Sequence, residues 1–302
     1  MPSGNPVGGP TLTSKSAPVK AARQLARRSM RERSRLFLAE GPQAVREALI
    51  GPGAGERSSV RELFVTGPAR ARHKELVGAA AAAGASIHEV DEALMAELAQ
   101  TVTPQGLLAV CPFIDVPLAD LIARPPDWTA LRLVVILANV RDPGNAGTVL
   151  RTADAAGADA VIFADASVDP YNSKCVRASA GSLFHLPFAV GVPVTDAVAG
   201  LHEIGLTVFA ADGTAAVGLD QLEAAGRLSR PTGWMFGNEA WGLPADLLAL
   251  ADEAVAVPIY GRAESLNLAA AAAVCLYSSA RSHQGGVPDG SSDTLGFGYV
   301  AS

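Results

Sequence analysis

Residues 131–140 form a nearly unbroken apolar run, LRLVVILANV. Such a run is typical of a strand that is buried on both faces of a parallel sheet. Further strand patterns follow it, and helical patterns separate them. Because parallel strands need crossover connections, the sequence predicts an open, doubly wound α/β sheet of six strands over residues 131–284, the other five strands lying at ADAVIFA, HLPFAV, LTVFAAD, GWMF and EAVAVPI.

Strand and helix patterns also alternate earlier in the chain, over residues 20–113. Four short strand patterns occur there, LFLAEG, VRELFVT, ASIHEV and GLLAVCPF. The sequence therefore predicts a second, smaller α/β domain. Pro125 and Pro126 indicate a linker at residues 114–130. The segments 1–19 and 285–302 lack periodicity, so we expect the first to be disordered and the second to be a flexible tail.

The positions of the cysteines argue against a protein that is held together by disulfide bonds or by a bound metal. Cys111, Cys175 and Cys275 are far apart, and no CxxC pair or His/Cys cluster occurs. Neither a disulfide framework nor a metal site is predicted, and a reducing cytoplasm fits best. No apolar run reaches the roughly 18 residues that span a bilayer, and the N-terminus has no apolar stretch of a signal peptide. We therefore expect a cytoplasmic protein without a membrane partner.

Charge is unevenly distributed along the chain. Residues 1–35 carry a net charge of +7, whereas the remaining residues carry −13. A basic arm on an acidic protein is one way to hold a polyphosphate, because each neutralised phosphate releases a counterion. A solubilising tail, or the wet face of a helix, explains the same charges. On charge alone, both interpretations stay open.

One segment with unusual polar residues, NVRDPGNAGTVLRTAD, follows the apolar run. In open parallel sheets ligands bind at the carboxyl ends of the strands, so this segment is a candidate site. The pattern predicts a helix that begins near Gly147 and places Arg151 one turn inside it, facing the strand ends. A simple turn followed by an exposed helical cation would explain the segment equally well.

Two later segments also follow predicted strands. FGNEAWGLP offers Glu239 beside glycines that let backbone approach a ligand closely. VPIYGRAESLNL leads into the last helix and contains Ser265 and Asn267. A tight turn with a capping acid would account for the first segment, and ordinary helix capping for the second.

Taken together and in this order, the three segments resemble the signature motifs of the SpoU (TrmH) branch of the SPOUT family of RNA 2'-O-ribose methyltransferases. The resemblance covers roughly residues 131–282, and PIYGRAESLNL is its most specific part. The stretch RASAGSLFHLP is also similar to that family. LFLAEG and TPQGLLAV resemble the substrate-binding domain that many SpoU proteins carry, which is related to ribosomal RNA-binding proteins.

The resemblance implies a SPOUT-type open parallel sheet with a C-terminal trefoil knot, a rare exception to the rule against threaded chains, preceded by a smaller α/β RNA-binding domain. It also implies a homodimer in which Asn145 and Arg151 act across the interface, and S-adenosylmethionine as cofactor without a metal. The polar active-site positions are Asn145, Arg151, Glu239, Ser265 and Asn267. The implied cofactor-binding residues are Ala210, Ala211, Asp212, Gly213, Phe236, Gly237, Asn238, Gly242, Ile259, Gly261, Ser265, Leu266 and Leu268.

Arg151 is given the role of a general base in proposals for the family. A guanidinium stays protonated, so we prefer a role in which Arg151 grips a phosphate and stabilises the developing alkoxide. Glu239 would fix a loop or a donor, and Ser265 and Asn267 would orient the ribose. The implied RNA contacts are Arg23, Arg27, Arg28, Arg31, Arg33, Arg35, Arg141 and Arg177.

Other function classes fit less well. A nicotinamide-dependent Rossmann enzyme needs G-x-G-x-x-G after its first strand, and that motif is missing, as are the P-loop and the G-x-S-x-G elbow. The serious alternative is a catalytically silent RNA-binding protein of the same fold. Among RNA targets, the separate N-terminal domain favours ribosomal RNA over transfer RNA by analogy.

Overall fold

A four-stranded sheet and a seven-stranded sheet form the framework of the computed structural model. The structure describes residues 12–51, 58–99, 101, 103–123, 131–164 and 167–285. The elements of the N-terminal part are α1 (Ala17–Gln24), α2 (Arg28–Ser34), β1 (Leu36–Glu40), α3 (Pro42–Ile50), β2 (Glu62–Thr66), α4 (Gly67–Arg72), α5 (Lys74–Ala82), β3 (Ser86–Val90), α6 (Glu92–Ala99) and β4 (Leu107–Pro112).

The C-terminal part follows a short helix, α7 (Leu118–Ala123). Two 3₁₀ turns, at Ser182–Phe184 and Arg227–Ser229, interrupt its connections. Its elements are β5 (Leu133–Ala138), α8 (Pro143–Ala155), β6 (Ala160–Ala164), α9 (Ser173–Ala178), β7 (Phe188–Val192), α10 (Val194–Glu203), β8 (Thr207–Ala211), β9 (Val217–Gly218), α11 (Leu219–Ala224), β10 (Thr232–Phe236), α12 (Ala245–Leu248), β11 (Glu253–Ala256) and α13 (Leu268–Gly285).

The C-terminal sheet has the order β7-β6-β5-β10-β8-β11-β9, and all its paired strands are parallel. Every residue of β5, β6 and β10 is buried, because helices cover both faces of the sheet. This confirms the predicted open parallel sheet. The seventh strand, β9, was missed because two residues are too few to show a periodicity. The C-terminal knot stays a prediction.

The N-terminal sheet has the order β1-β4-β2-β3. β4 is antiparallel to β1 and β2, whereas β2 and β3 are parallel. All four strands were predicted. Helices α3 and α5 cover one face, and α1 and α6 cover the other through a separate apolar cluster that includes Val19 and Met95. The smaller α/β unit therefore has a core on each side of its sheet.

Three sequence-based boundaries need correction. Disorder was expected up to Val19, but α1 begins at Ala17 with Pro18 in its first turn, and Val19 is fully buried; residues 1–11 lie outside the described residues. The predicted linker contains α7, whose Leu121 is buried, and its residues 124–130 are not described. Helix α8 begins at Pro143 rather than near Gly147, because Asp142 caps it.

Helices α8 and α9 approach each other closely at Gly147. A Cβ atom at this position would lie 2.4 Å from the carbonyl oxygen of Cys175 and 2.7 Å from the Cβ of Ala178. Backbone cannot yield as a flexible side chain does, so only glycine fits here. The position of α8, and of the loop before it, therefore depends on a residue without a side chain.

We expect Gly147→Ala to lower the free energy of unfolding by about 1–3 kcal/mol through overpacking. Gly78→Ala is the matched control, because Gly78 lies in α5 and a Cβ added there would meet no atom of a described residue within 4 Å. That variant should gain about 0.4–1 kcal/mol from a less flexible unfolded chain. Urea denaturation of both variants measures the difference, and equal shifts in the two would contradict the close approach of α8 and α9.

Several side chains join the N-terminal unit to the C-terminal sheet. The Arg31 guanidinium pairs with Asp169, and Arg177 pairs with Glu40 at 3.2 Å. The Tyr171 hydroxyl donates to an Asp115 carboxylate oxygen at 2.6 Å and accepts two backbone N–H groups. Burial raises the pKa of this phenol. The Tyr171 ring also lies 4.7 Å from the ring of Phe37 in β1, so the contact between the two units is polar as well as aromatic.

His185 also lies at this contact and should make it sensitive to pH. Its ring nitrogens approach Asp154 at 2.7 Å and Glu47 at 3.1 Å. Burial disfavours the charged ring, but the two carboxylates outweigh burial, and the pKa of His185 is raised. Because the folded pKa exceeds the unfolded value, this stabilisation is complete below about pH 6.5 and is lost as the pH rises through the folded pKa.

The expected result is that the urea midpoint of the natural protein decreases between about pH 6 and pH 8.5 more than that of His185→Gln, which cannot acquire the charge. The comparison is made at constant ionic strength, so that screening of surface charges is the same in both series. Parallel pH profiles of the two proteins would contradict the role of His185.

Candidate active site

The three predicted segments lie at the carboxyl ends of neighbouring strands. Strand β10 is between β5 and β8, and β11 is on the far side of β8. The segments after β5, β10 and β11, together with residues after β8, therefore meet at one edge of the sheet. This edge is where an open α/β sheet binds ligands.

The loop after β5 is shaped by Asn139 and Asp142. Asn139 has a positive φ of 59°, a conformation that asparagine tolerates better than most residues. The Asp142 side chain caps α8 by accepting the backbone N–H of Asn145 at 2.7 Å. Lys174 of α9 donates to the same carboxylate at 2.7 Å, and this bond holds the pKa of Asp142 below its usual range. The loop thus presents Asn145 in a fixed position.

Glu239 ties the loop after β10 to the loop after β5. Its carboxylate accepts the backbone N–H groups of Arg141 at 3.1 Å and Asp142 at 3.0 Å. It also accepts the side-chain amide of Asn145 at 3.3 Å. The two carboxylate oxygens thus satisfy three donors of the loop after β5.

Asn267 extends this arrangement to the start of the last helix. Its amide nitrogen donates to the Asn145 side-chain oxygen at 3.1 Å, and its own oxygen accepts the backbone N–H of Ala269. Glu239, Asn145 and Asn267 therefore form one hydrogen-bonded chain across three loops. The sequence placed these residues among the polar active-site positions, and the structure brings them together.

Arg151 and Ser265, the other two predicted active-site positions, are not part of this hydrogen-bonded chain. Arg151 is exposed in the third turn of α8, and its guanidinium makes no hydrogen bond or ion pair with another described residue. Six residues advance a helix by about 9 Å and turn it by about 240°, so Arg151 and Asn145 point in different directions. Ser265 is also exposed, and within the described ranges it has no hydrogen-bond partner.

The segment after β11 is exposed and has the features of a ligand-binding loop. Its side chains at 259–267 are exposed, and Ile259 and Leu266 present apolar surface. Between Ile259 and Leu266 the backbone groups make no hydrogen bond to any residue that the structure describes. At Gly213 and Gly261 no described atom lies within 4 Å of the place that a Cβ would take. Free backbone groups beside apolar side chains fit the adenosyl group of the implied cofactor.

Three predicted cofactor residues are corrected by the structure. Ala210 and Phe236 are buried inside β8 and β10, and neighbouring strands pair with them on both sides. Asn238 is buried too, since its side chain bonds the Asn139 carbonyl and the Ala240 N–H while its backbone pairs with Gly242. Because they are buried, these residues support the loops and present almost no surface to a ligand.

Gly237 has a structural reason to be glycine. A Cβ there would lie 2.4 Å from the backbone of Gly242, within the tight turn that presents Glu239. The accessible residues of the predicted cofactor set are Ala211, Asp212, Gly213, Gly242, Ile259, Gly261, Ser265, Leu266 and Leu268.

The predicted RNA contact at Arg31 is wrong. This residue is 4% exposed, and its guanidinium donates to Asp169 and to the carbonyls of Leu25 and Ala26. A cluster of charges in the sequence does not reveal which cation the fold buries.

The remaining predicted RNA contacts are all exposed, but they differ in their partners. Arg27, Arg33 and Arg141 have no side-chain acceptor among the described residues. The others form ion pairs, namely Arg23 with Glu97, Arg28 with Glu32, Arg35 with Asp115 and Arg177 with Glu40.

Lys174 was not singled out by the sequence, although it is part of the site through Asp142. The signal that could have found it is NSK after the loop of β6, where Asn172 caps α9 and directs the following lysine outwards. Among the described residues, no group of three potential metal ligands occurs. No described helix combines the length and apolar character needed to cross a membrane.

Comparisons with known proteins agree with this geometry. Residues 132–277 match the SpoU rRNA Methylase family, and residues 17–109 match the MRM3-like substrate binding domain. The chain is 34% identical over 265 residues to the Bacillus subtilis 23S rRNA (guanosine(2553)-2'-O)-methyltransferase RlmP, covering 88% of this chain and 96% of that protein. It is 30% identical to the Bordetella pertussis 23S rRNA (guanosine-2'-O-)-methyltransferase RlmB, covering 75% and 91%.

Solved structures show the same architecture. The SpoU methyltransferase AviRb from Streptomyces viridochromogenes, in complex with the cofactor AdoMet, matches with a TM-score of 0.73 and 28% identity, covering 90% of this chain and all of that one. The AdoMet-bound rRNA methyltransferase from Sinorhizobium meliloti matches with a TM-score of 0.73 and 30% identity, covering 90% and 96%. This chain therefore belongs to the SpoU rRNA methylase family.

Proposed function

We propose that this protein is an S-adenosylmethionine-dependent methyltransferase that modifies a ribose 2'-OH in ribosomal RNA. The observation that carries the proposal is the hydrogen-bonded chain of Glu239, Asn145 and Asn267 at the ligand-binding edge of the sheet. It occurs in a chain of the SpoU family whose relatives are named as 23S rRNA 2'-O-methyltransferases.

The cofactor would supply an electrophilic methyl group carried by a sulfonium. The exposed backbone between Ile259 and Leu266 would hold its adenosyl part, with Ala211, Asp212 and Gly242 at the adjoining strand ends. The leaving group of such a transfer is a neutral thioether, so the protein need not stabilise departing negative charge there. Its task is to position a ribose and make its hydroxyl nucleophilic.

Arg151 would act on the RNA side of this reaction. A guanidinium stays protonated at neutral pH, so it serves as a phosphate clamp and as a stabiliser of the developing alkoxide rather than as a base. Asn145 and Asn267 would orient the ribose, and Ser265 would contribute a hydroxyl from the exposed segment. Glu239 would hold the loop that carries Asn145.

The divergent directions of Arg151 and Asn145 on α8 favour a homodimer, in which one copy supplies Arg151 to the site of the other. Large side chains near the site are exposed in the single chain, in agreement with this assembly. Trp241 is 61% exposed and Tyr260 is 90% exposed. An enzyme that modifies ribosomal RNA would act in the cytoplasm.

Methyl transfer from tritiated S-adenosylmethionine tests the proposal. The protein is incubated separately with unmodified ribosomal RNA and with bulk transfer RNA, and ribose-methylation-sensitive sequencing then locates the label. We expect label at one 2'-O position in ribosomal RNA. Label in transfer RNA alone would mean that the substrate is transfer RNA rather than ribosomal RNA. Cofactor binding by calorimetry without label in either RNA would favour the catalytically silent RNA-binding protein.

A further inference from the structure

Helix α9 connects the candidate active site to the edge of the N-terminal sheet. Lys174 pairs with Asp142 of the active-site loop, and Arg177 pairs with Glu40 at the end of β1. Residues three apart lie side by side on a helix, with their Cβ atoms about 5–6 Å apart. Two ion pairs on one short helix therefore lie between the active site and the N-terminal unit.

Beyond Glu40, this sheet edge contains a groove of about 380 Å³. Binding sites for small groups commonly begin at about 300 Å³. Its walls come from the end of β2, from α4, from the start of α6 and from residues 103–106. Gln105 lies between the groove and Glu40, since a Cβ at Gly41 would lie 2.8 Å from its side-chain oxygen. The ends of β1 and β2 are two strand spacings apart, or about 10 Å.

Close packing at Gly106 defines the shape of the groove. Gly106 has a φ of +80°, and a Cβ there would lie 2.7 Å from both Thr66 and Ala69. Glycine thus allows the segment before β4 to pack directly on the end of β2. Thr66 in turn caps α4 through the N–H of Ala69. The backbone N–H of Thr66 also donates to the Gly106 carbonyl at 3.0 Å, so the floor of the groove is fixed.

The chemistry of the groove suits an unpaired nucleotide. Arg72 is exposed at its wall, and its guanidinium has no acceptor among the described residues. Such a group can bind a phosphate or stack on a base. Glu92 offers a carboxylate acceptor for base amino groups, and Pro68 and Pro104 add apolar surface. Lys74 adds a positive charge to the adjoining chain, whereas Arg70 is paired with Glu89 at 3.0 Å.

We propose that this groove binds an unpaired nucleotide of the RNA substrate, on a strand that continues across α9 to the methylated ribose. This inference rests on the proposed function, and it adds an RNA contact outside the basic arm. On that arm Arg31 is buried, and Arg23, Arg28 and Arg35 are paired with carboxylates, whereas Arg27 and Arg33 are exposed without an acceptor among the described residues. Arg72 keeps its full charge available to phosphate.

The test compares Arg72→Ala with Arg61→Ala, using the full-length protein and an unmodified 23S rRNA transcript as the probe. Arg61 is a matched control because it is exposed and precedes β2, whereas the groove lies at the opposite end of that strand. Arg72→Ala should weaken RNA binding about tenfold and reduce the salt slope by about 1. Arg61→Ala should leave the affinity within about twofold of the natural protein.

Further measurements distinguish a lost RNA contact from a loss of folding or of cofactor binding. Cofactor binding by calorimetry and the urea midpoint should be unchanged in both variants, because Arg72 contacts neither the candidate active site nor the core. The KM for RNA should rise in Arg72→Ala while kcat stays unchanged. Equal RNA affinities for the two variants would overturn the groove as an RNA site, and so would a natural protein that does not bind the transcript.

The proposed function and the groove can fail separately. If methylation of ribosomal RNA is observed and Arg72→Ala binds RNA normally, the groove is wrong while the function stands. If no RNA is methylated but Arg72→Ala alone loses RNA affinity, the groove stands and the protein is a binding protein of this fold.

Discussion

Arg151→Ala should lower kcat for RNA methylation by about 100- to 1,000-fold, the usual cost of removing a group that stabilises transition-state charge. The structure separates this effect from folding, because the side chain is exposed and makes no contact with a described acceptor. Cofactor affinity should stay within about twofold, since the predicted cofactor segments follow β8, β10 and β11 rather than lying on α8. Single-turnover methylation and calorimetry measure the two quantities.

Arg151→Lys and Thr148→Ala serve as controls for this prediction. Lysine keeps the charge but loses the planar fork, so it should restore part of the rate if Arg151 clamps a phosphate. Thr148 lies one turn earlier on α8, and its hydroxyl donates to the Gly144 carbonyl within the same helix. Loss of cofactor binding in Arg151→Ala, or a comparable loss of rate in Thr148→Ala, would contradict the assigned role.

A mixture of the Arg151→Ala and Asn145→Ala variants examines the proposed dimer. If one copy supplies Arg151 and the other supplies Asn145, a mixed dimer contains one site with both residues intact. Activity should then return to roughly a quarter of the natural level when equal amounts are exchanged, because about half of the dimers are mixed and each has one intact site. Activity that stays at the level of the separate variants would place both residues of a working site in the same copy.

Much of the fold could be predicted because a strand that is buried on both faces of a sheet has a continuous apolar sequence. The apolar run that became β5 has no polar residue between Leu133 and Ala138, and all of these residues are buried. Glu239, Asn145 and Asn267 were also found, because the segments that carry them follow predicted strands and resemble the SpoU motifs. The edge of a parallel sheet gathers such residues whatever their distance along the chain.

Other features depend on contacts that no local pattern encodes. Val19 lies in a Pro-rich, polar segment, yet α1 packs on α6 and buries it completely. Asn238 looked like a ligand contact, and only the three-dimensional structure shows that its side-chain oxygen and nitrogen are both used within the loops. Arg31 belonged to a basic cluster, and its partner Asp169 is 138 residues away.

Arg31→Met should lower the free energy of unfolding by about 3–5 kcal/mol, because it leaves the Asp169 carboxylate buried without its counter-charge. The guanidinium donates to one Asp169 oxygen at 2.9 Å and 2.6 Å, and the Arg31 and Asp169 side chains are 5% and 9% exposed. Arg33→Ala on the same helix is the matched control, since Arg33 is exposed and unpaired among the described residues. It should change the stability by less than about 0.5 kcal/mol.

The pair can be distinguished from a simple loss of packing by a double-mutant cycle. Asp169→Asn keeps the oxygen that accepts the Tyr171 N–H at 2.8 Å, but it replaces the oxygen that accepts both Arg31 bonds with an amide donor, so alone it leaves the Arg31 charge unpaired. Arg31→Met combined with Asp169→Asn should then cost less than the sum of the single variants, because no charge is left unpaired. Additivity within about 0.5 kcal/mol in urea denaturation would contradict the coupling of these side chains across the two units.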